Sequence, residues 1–248
     1  MEIKVISSMD KTEQPSLFFP AKSQEKRPLI VGLHSWSYDR FNQEKNMLPY
    51  AQKNDFHLLL PNFRGPNLAT NPEYKKACGS EYAIQDVFDA IEYVKENFAI
   101  DEQNIFLIGV SGGGHMSLLC TAKQPKTFRA IASVVPICDL ERWSRENQGY
   151  GKHVLDCCDE DVEEMKKRSP ISYIGALAQA NLKIFHGKFD KVVPYKQSYD
   201  LYAEIIKTNP DARVFLDIFD GGHQMNLETI FAWILSQYQK ENLNAVTG

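Results

Sequence analysis

Short apolar runs alternate along this chain with longer stretches in which apolar residues return every three or four positions. Glu2 to Ser7 and Ser16 to Phe19 read as two strands around the polar turn Asp10-Lys11-Thr12. Pro28 to His34, His57 to Leu60, Ile105 to Ile108 and Ala130 to Val135 are almost continuously apolar, the pattern of strands buried on both faces. The runs starting at Leu182 and Val214 to Phe219 add two more. Between these strands, Asn46 to Lys53 and Met116 to Ala122 read as helices, and Val87, Ala90, Ile91, Val94 and Phe98 recur at helical spacing. So do Tyr195, Tyr199, Tyr202, Ile205 and Ile206, and then Leu227, Ile230, Phe231, Ile234, Leu235 and Tyr238. Strands alternating with helices predict an α/β fold, a mostly parallel central sheet of about eight strands with helices on both faces.

Two stretches depart from the alternation. Pro61 to Asn71, rich in Pro, Gly and Asn, reads as an irregular surface loop. Residues 138–180 are too long for an ordinary connection and are expected to form a small cap over the site. Within them one helix is predicted around residues 159–168, acidic at its start and basic at its end, with Glu163–Lys167 and Glu164–Arg168 as pairs one turn apart.

At 248 residues and 43% hydrophobic content the chain can bury a full core, and residues 1–248 read as a single domain. A net charge of -4 without a basic stripe argues against nucleic acid as a partner. No apolar run approaches the length of a membrane span, and Met1-Glu2-Ile3-Lys4 lacks a signal pattern. Read as a full-length chain, the protein is expected in the cytoplasm, with an oligomer left open. Five cysteines, an odd number without framework spacing, argue against a disulfide scaffold, and Cys157-Cys158 reads as a pair of reduced thiols. No cysteine–histidine cluster has zinc-site spacing, and neither a metal nor an organic cofactor is expected.

The chemistry is carried by Gly109-Val110-Ser111-Gly112-Gly113, which fits G-x-S-x-G between a predicted strand and a predicted helix. In such an elbow a sharp turn exposes the serine hydroxyl, and the helix N-terminus beneath it is a positive dipole end. A serine hydroxyl needs a base to take its proton, and the base needs an acid to hold its tautomer. The expected chain order is Ser, acid, His. Asp190 follows the strand at Leu182, and His223 follows the strand at Val214. Both lie past strand C-termini, where open α/β sheets place ligand sites. Asp217, inside a strand, and Asp220, near His223 in the chain, are the alternatives to Asp190.

Other candidates are placed around this set. Gly112 N–H and a donor from the loop Leu33-His34-Ser35-Trp36 are expected to form the oxyanion hole. His115, Trp143 and Tyr150 are candidate pocket residues, His34 and His186 read as structural hydrogen bonders beside the site, and Arg64 as a structural ion-pair partner. Gly112-Gly113-Gly114 is not followed by Lys-Ser/Thr, so a phosphate cradle is a poor reading.

Several segments, in order, resemble the prolyl-oligopeptidase-like branch of the α/β-hydrolase superfamily, over about Phe18 to Trp233. They are Leu33-His34-Ser35-Trp36, Asn62-Phe63-Arg64-Gly65, Gly109 to Gly114, Ser169-Pro170-Ile171-Ser172-Tyr173, His186 to Pro194 in the pattern H-G-x-x-D-x-x-V-P, and Gly221-Gly222-His223. The resemblance implies the α/β-hydrolase fold and Ser111, Asp190 and His223 as the triad. Ser35 replaces the family's usual Gly. Some peptidases of the family use a tyrosine hydroxyl where Trp36 stands, so the backbone N–H of Trp36 is assigned instead. The β-propeller of the large family peptidases has no counterpart in these residues, which makes the chain look more like a small dienelactone-hydrolase-like esterase. The leading expectation is therefore a serine hydrolase cleaving carboxylic esters, short acyl or carbohydrate acetyl, through an acyl-enzyme on Ser111. The alternative is a serine peptidase acting on short peptides, and a third is a non-catalytic binding protein on the same fold.

Overall fold

The computed structural model describes residues 1–246, with side chains to Tyr238, so the last two residues of the expected 1–248 domain lie outside it. Eight strands form one sheet: β1 Glu2–Ile6, β2 Glu13–Phe19, β3 Arg27–Leu33, β4 His57–Pro61, β5 Ile100–Val110, β6 Ala130–Val134, β7 Leu182–Gly187 and β8 Val214–Phe219. Their order is β1-β2-β4-β3-β5-β6-β7-β8. β1, β2 and β4 pair antiparallel, and every pair from β4 to β8 is parallel. β3 to β6 are the runs that read as continuously apolar, because helices cover both of their faces.

The helices are α1 Glu44–Lys53, α2 Glu81–Asn97, α3 Gly112–Lys123, α4 Leu140–Glu146, α5 Gln148–Cys157, α6 Val162–Lys167, α7 Ile174–Leu177, α8 Lys196–Thr208 and α9 Leu227–Val246. The core lies in two layers. One packs α2, α3 and α8 on the sheet through Val87, Ile91, Leu118, Leu201 and Ile205. The other packs α1 and α9 through Met47, Ala51, Ile230, Phe231 and Ile234. Its inner strands carry residues such as Leu29, Leu107 and Ile131 with no exposed surface. Burying each such side chain stabilises the fold by about 1.5–3 kcal/mol.

Four sequence expectations are corrected or refined. β5 starts at Ile100, earlier than the apolar run, because Arg27 of β3 pairs with Ile100. Residues 138–180 hold the expected helix as α6, and α4, α5 and α7 beside it. α4 and α5 are fixed by caps: Asp139 accepts from Arg142 N–H, and Asn147 from the N–H groups of Gly149 and Tyr150. Within α6, Glu163 pairs with Lys166 (2.8 Å) instead of Lys167, while Glu164–Arg168 forms as expected (2.8 Å). On α8 the expected stripe is only partly buried: Ile205 lies in the core and Tyr202 packs against it, but Tyr199 faces out. Gln197, Ser198 and Leu201 are buried with Ile205, and Tyr199 is 53% exposed.

Candidate active site

The carboxyl ends of β3, β5, β7 and β8 share one edge of the parallel sheet, and the loops that follow them converge there. Ser111 stands between β5 and α3 with φ 57° and ψ -115°, in the strained left-handed half of backbone space. Its N–H donates to Val134 O (2.8 Å), and its carbonyl accepts from His115 N–H (2.9 Å). Gly109 allows the tight turn, since a Cβ there would run into the Gly113 carbonyl.

The β7 and β8 loops are stitched together by Lys188 N–H to Phe219 O (2.9 Å) and Phe189 N–H to Gly221 O (2.8 Å). This brings two chain-distant side chains into line. His223 Nδ1 lies 2.7 Å from Asp190 Oδ2, and Nε2 lies 2.9 Å from Ser111 Oγ. The carboxylate only accepts, so Nδ1–H donates to Asp190 and Nε2 accepts from the Ser111 hydroxyl. Asp190 Oδ1 accepts from Val192 N–H (2.8 Å) and Val193 N–H (2.9 Å). Burial works against the charged Asp190, but donation from His186, His223 and Val193 N–H outweighs it and holds the carboxyl well below the usual range. Asp190 is thus anionic well below neutral pH, so its own protonation is not expected to limit activity in mild acid.

The alternatives to Asp190 are engaged elsewhere or lack that contact: Asp217 pairs with Lys183 (3.2 Å), and Asp220 is exposed.

Trp36 and Gly112 meet beside Ser111. A Cβ on Gly112 would fall 2.5 Å from Trp36 N. The backbone N–H groups of Trp36 and Gly112 have no acceptor among the described residues. Ser35, where the family has Gly, ties this loop down: its hydroxyl donates to Val110 O (3.1 Å), and its N–H donates to Asn42 Oδ1 (2.9 Å). Asn67, which sequence reasoning passed over, adds an N–H to Trp36 O (2.8 Å) and accepts from Cys78 N–H (2.8 Å). Gly112→Ala is expected to displace Trp36 and lower kcat by about 100-fold with little change in folding, read by amide turnover and circular dichroism.

His115, Trp143 and Tyr150 all make their ring contacts with Trp36, at centroid distances of 6.1, 5.0 and 6.5 Å. His153, which sequence reasoning missed, joins them at 6.2 Å. Trp143 is buried, and its Nε1–H donates to Val192 O (2.9 Å), tying α4 to the Asp190 loop. His115 Nε2 contacts Arg168 O (2.7 Å), and burial pushes its pKa down to about 4. His34 lies between the carbonyls of Ser35 (3.0 Å) and Asn62 (2.8 Å) and stacks on Phe63. His186 touches Asp190 itself, a contact that the sequence reading did not foresee. Among the described residues, no group of three or more His, Cys, Asp or Glu is placed to hold a metal ion, and no helix is long and apolar enough to cross a membrane.

A hydrogen-bonded serine, imidazole and carboxylate at the carboxyl edge of a mostly parallel sheet define the class: a serine hydrolase on the α/β-hydrolase fold. Within that class the chain belongs to the prolyl oligopeptidase family, whose sequence model matches residues 42–240. It is 28% identical over 211 residues to the acylamino-acid-releasing enzyme of Homo sapiens, covering 79% of this chain and 28% of that enzyme. Identity is 27% over 210 residues to acylamino-acid-releasing enzyme 1 of Oryza sativa subsp. japonica, covering 77% and 27%. The chain thus spans less than a third of these curated relatives. The fold is similar to that of Pyrococcus horikoshii acylaminoacyl peptidase, with a TM-score of 0.75 and 22% identity over 90% of this chain and 37% of that one.

Proposed function

We propose that this chain is a serine peptidase that releases the first residue of short peptides, with N-acylated peptides as its preferred substrates. Ester cleavage, the leading expectation from the sequence alone, is the weaker reading. The family match and the curated relatives support the peptide reading better. The observation that carries the chemistry is the line from Ser111 through His223 to Asp190, at 2.9 and 2.7 Å.

In the proposed mechanism Ser111 Oγ attacks the scissile carbonyl as His223 Nε2 takes its proton. Asp190 keeps Nδ1 protonated and stabilises the imidazolium. The N–H groups of Gly112 and Trp36 receive the oxyanion, and no protein acceptor competes for them. His223 then returns the proton to the leaving amine, and water releases the acyl group from Ser111 by the same steps in reverse. We assign residues 138–180 as a cap, and Trp36, Trp143, Tyr150 and His115 as the apolar wall of the pocket. All five cysteines are buried free thiols, which fits a reducing compartment such as the cytoplasm.

The test is a panel of N-acetyl-alanyl p-nitroanilide, unblocked alanyl p-nitroanilide and p-nitrophenyl acetate. The reading predicts anilide turnover, with the acetylated compound preferred over the free amine. Rapid ester cleavage with neither anilide hydrolysed would restore the esterase reading.

A further inference from the structure

The Asp190 carboxylate serves two imidazoles. Its Oδ2 lies 2.7 Å from His223 Nδ1 and 3.3 Å from His186 Nε2. His186 is the penultimate residue of β7 and is 0% exposed. Its Nε2 also faces Val193 O at 2.9 Å, and its Nδ1 lies 2.7 Å from Ser198 Oγ. Both neighbours of Nε2 can only accept, so Nε2 carries the ring proton. Nδ1 is then the lone-pair side and accepts from the Ser198 hydroxyl. Ser198, on the inner face of α8, is likewise fully buried.

We propose that Ser198 and His186 extend the line Ser111–His223–Asp190 by two members, with His186 as a positioning residue that tunes how strongly Asp190 holds the His223 imidazolium. The inference rests on the triad assigned above. The directions of donation are fixed along the chain of bonds. Ser198 O–H donates to His186 Nδ1, which makes Nε2–H a better donor. His186 Nε2–H donates to Val193 O (2.9 Å) and, 3.3 Å from Asp190 Oδ2, turns its positive end toward that oxygen, which offsets part of the charge that His223 Nδ1–H sees there. The carboxylate is therefore held in orientation by a buried neutral donor that also weakens its pull on the base. A base held less tightly in its charged form stays free to accept the Ser111 proton at lower pH.

The other titratable groups near this line do not substitute for His186. Cys138, after β6, shares the Ser198 hydroxyl, and burial pushes its thiol above the usual range. Beyond it on that side, Asp139, Arg142 and Asp200 act only through space on Cys138. Lys188, in the Asp190 loop, lies over the Tyr195 ring at 4.7 Å. Among the described side chains, His223 bonds to Asp190 Oδ2 and His186 Nε2 approaches the same oxygen at 3.3 Å.

The experiment follows the rate of labelling by a fluorophosphonate probe against pH, for the wild type, His186→Phe, His186→Gln and Ser198→Ala, each checked for folding by circular dichroism. Removing the donor in His186→Phe should move the acid limb to higher pH by about half a unit or more. Gln keeps an N–H donor, so His186→Gln should bring the limb back toward the wild type. Ser198→Ala should shift it the same way as Phe, by less. Limbs of His186→Phe and Ser198→Ala that superimpose on the wild type, with only the plateau lowered, would overturn the proposal and leave His186 as a structural pin. If His186→Phe does not fold, an unshifted Ser198→Ala overturns it alone. Labelling that survives in Ser111→Ala would instead refute the triad on which the inference rests.

Discussion

Ser111→Ala is expected to lower kcat by about a million-fold while leaving the fold in place. No neighbouring hydroxyl can take over. Ser35 donates to Val110 O, and Ser117 and Ser133 both donate to Gly114 O, at 3.1, 2.7 and 3.0 Å. Each is committed to a carbonyl that holds the elbow together. The alanine would inherit φ 57°, a conformation that costs a non-glycine residue about 1–2 kcal/mol, and serine already bears that cost. The melting temperature should therefore stay close to the wild type while turnover of N-acetyl-alanyl p-nitroanilide vanishes. Residual turnover within about 100-fold of the wild type would mean that another group attacks.

Arg64→Met is the substitution expected to cost the most stability. The Arg64 side chain is 0% exposed and meets three carboxylates: Nε to Asp86 (2.5 Å), Nη1 to Glu73 (2.6 Å) and Nη2 to Asp10 (2.9 Å). Ser7 Oγ completes the set, donating to Asp86 (2.6 Å). Removing one partner of a buried charge network leaves the others uncompensated and costs about 3–5 kcal/mol. For a chain of this size that is about 10 °C in melting temperature.

The pH dependence has a definite sign. Burial raises the Asp86 carboxyl above its ordinary value even with Arg64 beside it. A carboxyl raised in the folded state destabilises the fold above that value and is relieved as it protonates. Without Arg64 the penalty grows, so the deficit should be largest near neutrality and shrink as pH falls into the carboxylate range. Asp10 behaves oppositely. Donation from Arg64, Lys76 and Thr12 holds it well below the usual range, so its contribution is present at neutral pH and lost only in strong acid. A deficit under about 1 kcal/mol, or one flat with pH, would contradict this account of the cluster. Activity of the folded fraction should fall too, because the lost Arg64 ion pairs anchor the loop whose Asn67 holds Trp36.

What the sequence made legible follows from the physics of each part. β3, β4, β6 and the second half of β5 read correctly because a strand segment covered on both faces must be apolar throughout, whereas the polar start of β5 did not show. The elbow was legible because its glycines answer a local steric demand. Ser111, Asp190 and His223 each follow a strand end, so their order and setting pointed to one rim. Choosing Asp190 over Asp217 on geometry needed coordinates, since the Lys183 pair that occupies Asp217 joins residues distant in sequence.

The misses share a cause. Gln197 and Ser198 are polar residues on the buried face of α8. Their partners, the N–H groups of Cys138 and Asp139 and the imidazole of His186, lie on other elements. A hydropathy pattern assigns such residues to solvent and puts Tyr199 inside. α4 and α5 escaped notice because α4 has only 7 residues and its stability comes from Asp139, Trp143 and Gln197 contacts instead of a long apolar stripe. The pairing of Trp36 N–H with Gly112 N–H was expected only through the family resemblance, since it depends on two loops packing face to face, which no local spacing encodes.

The most direct test of the central claim is mass-spectrometric mapping of the protein after reaction with a fluorophosphonate, in the wild type and in His223→Ala. The account predicts one adduct, on the peptide carrying Ser111, formed in the wild type and nearly absent without the imidazole. An adduct on a different serine, or equal labelling of Ser111 in His223→Ala, would contradict it.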